Sequence, residues 1–325
     1  MKGALTALWL LFLFSLPLWM SNSYLLHILV VTGIFIVAAM SLNLLLGYAG
    51  QLSLGHVAFF GIGAYASALV SLGFSVHILP EFILKSEPKP VWLAMLAGIV
   101  AAGICGWFIG RISFKVRGAY FVIVSISFAE VVRLVALNWV ELTQGPMALN
   151  NIPPLALGSL VFWKKPENYW LVLAVAVVCY ILVRRLVNSR AGRAMVALRE
   201  NEPLANSVGI DVTRTLVLTT VVSAAMAGAA GALYAHYIRI VDPDVFLFIY
   251  TVTMVIMVVT GGKGTLAGPV VGGLIFGLLP ETLRAVAIRP ETQWIVYGVL
   301  MILVVYFLPQ GIMPALQQWG RRRLA

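Results

Sequence analysis

An all-α bundle of membrane-crossing helices is the fold class that this sequence predicts. Of its 325 residues, 61% are apolar and only 10% are charged. A soluble domain carries about 25% charged and ~45–50% apolar residues. The apolar residues also gather into runs near the ~20 residues that a bilayer-crossing helix needs. Lys and Arg collect in the short connections between those runs.

Ten runs are separated by polar residues, Pro or Gly: 4–20, 24–46, 56–79, 91–110, 118–140, 169–187, 215–238, 246–260, 268–286 and 292–309. The first and eighth are short for a crossing, so about eight to ten spans are expected. They form a single transmembrane domain over 1–325, with no soluble domain between spans. The start, "MKGALTALWLLFLFSLPLWMSNS", has the Lys and apolar stretch of a signal peptide. It lacks a good small-x-small cleavage site (Ser21 to Ser23 is the nearest), so a retained first span is expected.

A cytoplasmic N-terminus places Lys2, Lys263 and the basic residues of 111–117, 184–214 and 321–323 on the inside. They outnumber the outer Lys85, Lys89, Lys164, Lys165, Arg239, Arg284 and Arg289 about two to one, so both termini are expected in the cytoplasm, with 310–325 a basic cytoplasmic tail. The net charge of +10 is thereby a topology signal, and no nucleic-acid partner is expected.

Cys105 and Cys179 lie inside apolar runs and build no disulfide framework. His27, His56, His77 and His236 are scattered without ligand spacing, so no metal site is expected. "TGGKGTLAG", at 260–268, mimics a phosphate loop, but Gly264 separates Lys263 from Thr265 and apolar runs flank it. A non-catalytic chain with no bound cofactor is expected. If transport is ATP-driven, ATP and Mg²⁺ are used by another subunit.

The inner connection 188–214 is the most informative polar piece. Ala191, Ala194, Met195 and Leu198 form one apolar stripe of a short helix, with Arg193 and Arg199 off it. Pro203 suits the first turn of a second helix, on which Leu204 and Val208 are one turn apart. Gly209 is placed to stop it, and Asp211 to cap the next span. One reading is a basic loop held by anionic lipid headgroups; the other is a docking elbow for a protein. A topology signal needs no Pro-started helix with a Gly stop, which favours docking.

Within the spans, Glu130 and Arg133 share a helix face and form an expected intramembrane pair that orients the bundle. Asn43 suits interhelical hydrogen bonding. His27, His236, Glu281 and Arg284 fall near outer span ends, where solvated rims are expected. Small residues four apart, such as Gly106/Gly110, Ala224/Gly228, Ala227/Gly231, Gly268/Gly272 and Gly273/Gly277, predict close helix packing. "AGQLSLG", at 49–55, and "GGKGTLAG", at 261–268, echo each other; each follows a span and begins another. Paired Gly-interrupted segments can mark a transport path. Asn43, Gln51, Ser53, His56, Gly261, Gly262 and Thr265 are therefore expected to flank it.

The sequence resembles the LivM-type permease subunits of branched-chain amino acid ABC importers, within the wider LivH, LivM and urea permease group. The resemblance is carried by "SLNLLLGYAGQLSLGHVAFFGIGAYASALV", "RGAYFVIVSISFAEVVRLVALNWVELTQGPMAL", "SRAGRAMVALRENEPLANSVGIDVTRT", "SAAMAGAAGALYAHY" and "VTGGKGTLAGPVVGGLIFG", and it runs over nearly the whole chain. It implies a permease of a bacterial inner (cytoplasmic) membrane importer. Its partners would be a second, LivH-like permease, two ATPases of LivG and LivF type, a periplasmic binding protein, and membrane lipid. It implies that 188–214 docks into an ATPase through Arg193, Arg199, Glu200, Asn201, Glu202, Pro203, Leu204, Ala205 and Gly209. The importer pattern E-A-A-x₃-G survives only as Ala205 and Gly209, with Glu202 one place early. In "LTQGPMALNNIP", Gln144 stands where the resembling outer loop commonly has Gly. Leucine, isoleucine and valine are the implied substrates; urea, short amides and aromatic acids are alternatives within the group. An ion-coupled secondary transporter is a further alternative, but it needs coupling-ion ligands, and Glu130, the one deep carboxylate, already has Arg133 beside it.

Overall fold

The computed structural model describes residues 13–17, 19, 22–79, 82–114, 118–158, 160–285 and 290–322. Of the expected first span, 4–20, only 13–17 and 19 fall within that set. The short helical stretch 13–17 lies against a later helix: Tyr169 and Trp170 donate to the Leu13 and Phe14 carbonyls, and Phe14 stacks on Trp170.

Helix α1 (Ser23–Asn43) starts at Asn22, whose side chain accepts from Tyr24 N. It leaves through a widened π-helical turn, Leu44–Tyr48. An irregular segment leads to α2 (Val57–Leu72). Helices α3 (Val91–Ser113), α4 (Ala119–Asn138) and α5 (Lys165–Val187) follow. Two short helices, α6 (Arg190–Glu200) and α7 (Glu202–Ser207), precede the longest, α8 (Val212–Ile238). Then come α9 (Phe248–Gly261), α10 (Gly268–Ala285), α11 (Pro290–Phe307) and α12 (Ile312–Arg322). Among the described residues, five helices are long and apolar enough to cross a membrane: α1 with its π turn, α3, α4, α5 and α8. Shorter apolar helices cover 57–72, 248–261 and 268–279.

The expected third span, 56–79, is corrected. It ends at Leu72, because Gly73 has φ +75° and turns the chain out of the helix. Phe74–Leu79 (β1) then pairs antiparallel with Phe82–Ser86 (β2). This stretch is rich in β-branched and aromatic residues, which suit a pleated strand as well as they suit a bilayer. A second small hairpin pairs β3 (Ala156–Leu157) with β4 (Leu160–Val161). The expected tail 310–325 is likewise helical over Ile312–Arg322.

Helices α1 and α8 form the centre. The first packs against α5, α8, α9 and α10, and α8 packs against α2 and α3. Lipid tails are as apolar as Leu, so helices gain little by burying Leu against Leu; close backbone approach is what favours association. Small residues provide it. A Cβ on Gly228 of α8 would lie 2.5 Å from the Ala102 Cβ and 3.0 Å from the Gly98 carbonyl of α3. Gly106 faces Ala224 across the same seam, and Gly231 faces the Phe60 carbonyl of α2. Gly273 and Gly277 of α10 face Ile36 and Thr32 of α1.

At one end of α8 a polar clasp holds the 145–157 loop. Leu149 and Val241 exchange both backbone hydrogen bonds, at 2.8 and 3.0 Å. Arg239 Nε donates to the Ile152 carbonyl at 3.1 Å, and its guanidinium lies over the Trp163 ring. His236 is the correction here. The sequence places it on a solvated rim, but it is 1% exposed. Its Nδ1 pairs with the Pro153 carbonyl and its Nε2 with Ser67 Oγ, both at 2.8 Å. The small residues of α2 and α8 bring the backbones close enough to enclose it. His27 pairs through Nδ1 with the Tyr237 hydroxyl at 2.8 Å. The side chains of His77, Glu281 and Arg284 lie outside the described set. Gln144 has φ +59°, a left-handed conformation that suits the Gly common at that place in the resembling loop.

Replacing Gly228 by Val should overpack the α3–α8 seam and destabilise the protein by about 1–3 kcal/mol. Gly298→Ala has nothing within 4 Å of the added Cβ and should be neutral. Thermal unfolding of the two variants in detergent checks the contrast.

Candidate coupling site

The end of α1 and its π turn meet the second Gly-interrupted segment, 261–268. Asn43, 1% exposed at the end of α1, donates through Nδ2 to the Thr265 carbonyl and accepts through Oδ1 from Gly264 N, both at 2.9 Å. One carboxamide thus satisfies both a donor and an acceptor of the break between α9 and α10. The backbones lie so close that a Cβ on Gly47 would strike Gly264. Thr265 accepts from Gly268 N at 3.0 Å and so caps α10. Gly262 lies against Gly311 and Pro314, which brings α12 to the same end.

The second break, 49–56, is satisfied by side chains from distant helices. Ser125 Oγ of α4 accepts from Leu54 N and Gly55 N at 3.1 and 3.3 Å, and itself donates to the Val122 carbonyl. Thr251 Oγ1 of α9 accepts from Val57 N at 3.1 Å. His56 is fully buried and pairs through Nε2 with Ser41 Oγ at 2.7 Å. Ser41 Oγ also reaches the Ala38 carbonyl, at 2.6 Å. Ser223 of α8 donates to the Ser41 carbonyl. These bonds supply what a buried helix start must have, since unpaired N–H groups away from water are costly.

The elbow stands at this end of the bundle. Ser189 caps α6 by accepting from Gly192 N, Asn201 caps α7 by accepting from Leu204 N, and Asp211 caps α8 by accepting from Arg214 N. Pro203 lies in the first turn of α7. Met195 and Leu198 are buried, while Arg193, Glu200, Asn201 and Pro203 are exposed and Glu202 is half-buried. Gly209 has φ +87°, a conformation that only Gly adopts without strain. Two large apolar side chains stand out on the tip, Leu204 at 60% and Val208 at 71% exposed. Beside them an open cleft of about 340 Å³ is lined by Asn206, Ile210, Asp211 and Thr213 among others.

Arg199 joins the elbow to the breaks. Its Nη1 donates to the Gly47 carbonyl at 2.6 Å, and its stem packs on Gly50. The guanidinium abuts Gly264, and Glu200 pairs with its remaining nitrogens, at 2.6 Å from Nη2. One arginine therefore touches both Gly-interrupted segments.

Asn43, Ser53, His56, Gly261 and Gly262 are buried, and Gln51 and Thr265 are half-buried. Asn43 and Thr265 are hydrogen-bonded to backbone of the α9–α10 break, and His56 to the Ser41 hydroxyl. Ala205 is 3% exposed, so it seats the elbow, while Leu204 and Val208 present it. Glu130 and Arg133 form a forked pair on α4, at 2.6 Å between Oε1 and Nη2, far from the elbow in sequence. The inward grip of Arg199 and the capping by Ser125 and Thr251 have no sequence signal. An Arg off an apolar stripe reads as a solvated face, and a Ser or Thr in a span reads as packing.

Residues 24–305 match the family described as branched-chain amino acid transport system / permease component. The chain is 31% identical over 307 residues to the high-affinity branched-chain amino acid transport system permease protein LivM of Salmonella typhimurium, covering 87% of this chain and 68% of that one. It is 27% identical to a probable branched-chain amino acid transport permease protein LivM of Methanocaldococcus jannaschii, covering 87% and 91%. It is 29% identical to the permease protein LivH of Escherichia coli, covering 85% and 89%. No solved structure matches it.

Replacing Asn43 by Leu removes two hydrogen bonds and leaves Gly264 N and the Thr265 carbonyl unpaired, which should cost about 2–4 kcal/mol. A clear fall in detergent melting temperature for Asn43→Leu, against none for Gly298→Ala, checks the geometry.

Proposed function

The chain belongs to the family of branched-chain amino acid transport system permease components, and from that premise we propose that it is the gate of an ATP-driven amino acid importer, worked through the α6–α7 elbow. The supporting observation is that Arg199, in the last turn of the elbow's first helix, reaches the Gly47 carbonyl, Gly50 and Gly264, while the elbow's second helix presents Leu204 and Val208 to the outside. One side chain thus ties the elbow to both Gly-interrupted segments.

In this reading the chain is a multi-pass protein of a bacterial inner membrane with the elbow and α12 in the cytoplasm. Two ATPases of LivG and LivF type lie beneath it, a second LivH-like permease lies beside it, and a periplasmic binding protein delivers leucine, isoleucine or valine. ATP and Mg²⁺ act in the ATPases, and this chain performs no bond chemistry. The ATPase takes the apolar tip into a groove, with Arg193, Glu200 and Asn201 around the rim. Closure of the ATPases then displaces the elbow, and α6 carries Arg199 with it. The Arg199–Gly47 bond passes that displacement to the π turn, and the contact with Gly264 passes it to the α9–α10 break. A nucleotide shifts the gate only as far as its contacts differ between the two conformations. A bond that one conformation keeps and the other loses provides such a difference. Glycine at 47 and 264 lets the two breaks slide past each other without side-chain collision.

Leu204→Asp, Val208→Asp, Ala205→Asp and Gly209→Pro should each insert in the membrane yet lower ATP-driven leucine uptake at least ~10-fold, because each buries a charge in the joint or breaks the turn. Full uptake by the two tip variants overturns ATPase docking at the elbow. Uptake by vesicles with an ion gradient and no ATPase overturns the ATP-driven reading itself. Separately, Arg199→Ala should leave ATPase subunits bound but uncouple hydrolysis from uptake, read as a raised ratio of phosphate released to leucine imported.

A further inference from the structure

The exposed faces of the long helices are of two kinds. On α3 the exposed residues Trp92, Leu96, Val100, Ile104, Trp107 and Phe108 form a continuous apolar stripe. On α5 the exposed stretch before the terminal arginines is Ala174, Val178, Ile181 and Leu182. Both are faces that hydrocarbon tolerates. The open face of α4 is different. It carries Ser127 and Glu130 near the middle of the helix and Asn138 at its end, all exposed, with Arg133 beside them. Glu130 is 52% exposed and Arg133 23% exposed in this chain, and the pair is held by three hydrogen bonds of 2.6 to 3.1 Å. On its other side α4 rests on α2 and on the 3₁₀ turn Pro243–Phe246. An ion pair at mid-helix that is open on one side does not belong against lipid tails, where ionisable groups turn to a water-filled cavity or a protein neighbour.

We propose that this face of α4 lines the aqueous translocation path, and that Glu130 and Arg133 form a station on it for a zwitterionic amino acid. The chemistry is complementary. The carboxylate can accept from an α-ammonium, and the forked guanidinium can hold an α-carboxylate with two parallel bonds. In the resting state the two groups satisfy each other. A zwitterion lying antiparallel to the pair exchanges one set of charge contacts for another, so neither group is left bare as substrate arrives or leaves. Path binding must be weak enough to release its cargo, and a self-paired site meets that need. The apolar neighbours Ile123, Ile126, Val131 and Leu134 offer a surface for a branched aliphatic side chain. The station rests on the amino-acid-importer reading above for its ligand, but its test stands apart from the elbow variants.

The experiment is thiol labelling in the intact importer with a membrane-impermeant reagent, using Ser127→Cys and, as the lipid-face control, Ile104→Cys. The parent chain, with Cys105 and Cys179, sets the background. Thiols react as thiolates, which water supports and hydrocarbon does not. Ser127→Cys should label about 10-fold faster than Ile104→Cys, and leucine with ATP and binding protein should slow it. Adding Glu130→Gln or Arg133→Gln should abolish the leucine protection while leaving labelling itself intact, which also shows that the helix is still in place. Labelling of Ser127→Cys no faster than the control places the face in lipid or against a sealed protein neighbour, and overturns the proposal. Fast labelling that leucine does not slow, or protection that survives both charge removals, overturns the station.

Discussion

Broken helices buried in a protein must find hydrogen-bond partners there, and that obligation organises this molecule. Water cannot reach the groups that a buried helix end exposes, so each must be met by another side chain or backbone. The chain interrupts itself at 49–56 and again at 262–267. The partners come from far away in sequence: Asn43 for Gly264 and Thr265, Ser125 for Leu54 and Gly55, and Thr251 for Val57. These bonds fix which helices can be neighbours. Once α1 must reach the α9–α10 break, and α4 and α9 must reach the start of α2, few other arrangements of the bundle remain.

Small residues make those bonds possible. Ser and Thr side chains are short, so they reach a foreign backbone only if the helices nearly touch. Gly228 against Ala102, Gly63 against Gly228, and Gly277 against Thr32 bring the axes that close. Packing and polar satisfaction are therefore one device here. The same closeness encloses His236 and His56, which the bonds to Ser67, Pro153 and Ser41 keep satisfied on the sides they use.

Much of this was legible in the chain itself. Each of the ten apolar runs is helical over at least part of its described residues, because a bilayer demands length and apolarity and little else. The elbow was legible in detail: Pro203 in the first turn, Gly209 at the stop and Asp211 at the next cap all stand where spacing places them. Local rules decide those positions, and local rules are what a sequence displays. The end of the third run was misread, because residues 74–79 satisfy hydropathy and strand propensity equally and only Gly73 decides between them. The inward bond of Arg199 and the burial of His236 are hidden for a different reason. Their partners lie about 150 and 170 positions away, at Gly47 and Ser67, and no pattern near either residue reports such a neighbour. The echo between 49–55 and 261–268 pointed to the right pair of segments. It could not reveal that Arg199 touches both, or that Asn43 reaches the second from the end of α1.

Helix α8 has 27 residues, and so a length of about 40 Å. It has no Pro and is buried along most of its course, with a cap at Asp211 on the elbow side and the His236–Arg239 clasp at the far end. A rod of that kind tilts before it bends. If it pivots on the tight Gly228 contact near its centre, a tilt of about 10° carries each end some 3 Å, in opposite directions. The clasp at 149–153 and the elbow then move in opposite directions, so the stiffness of a single helix and the position of its fulcrum tie the two ends of the bundle to each other.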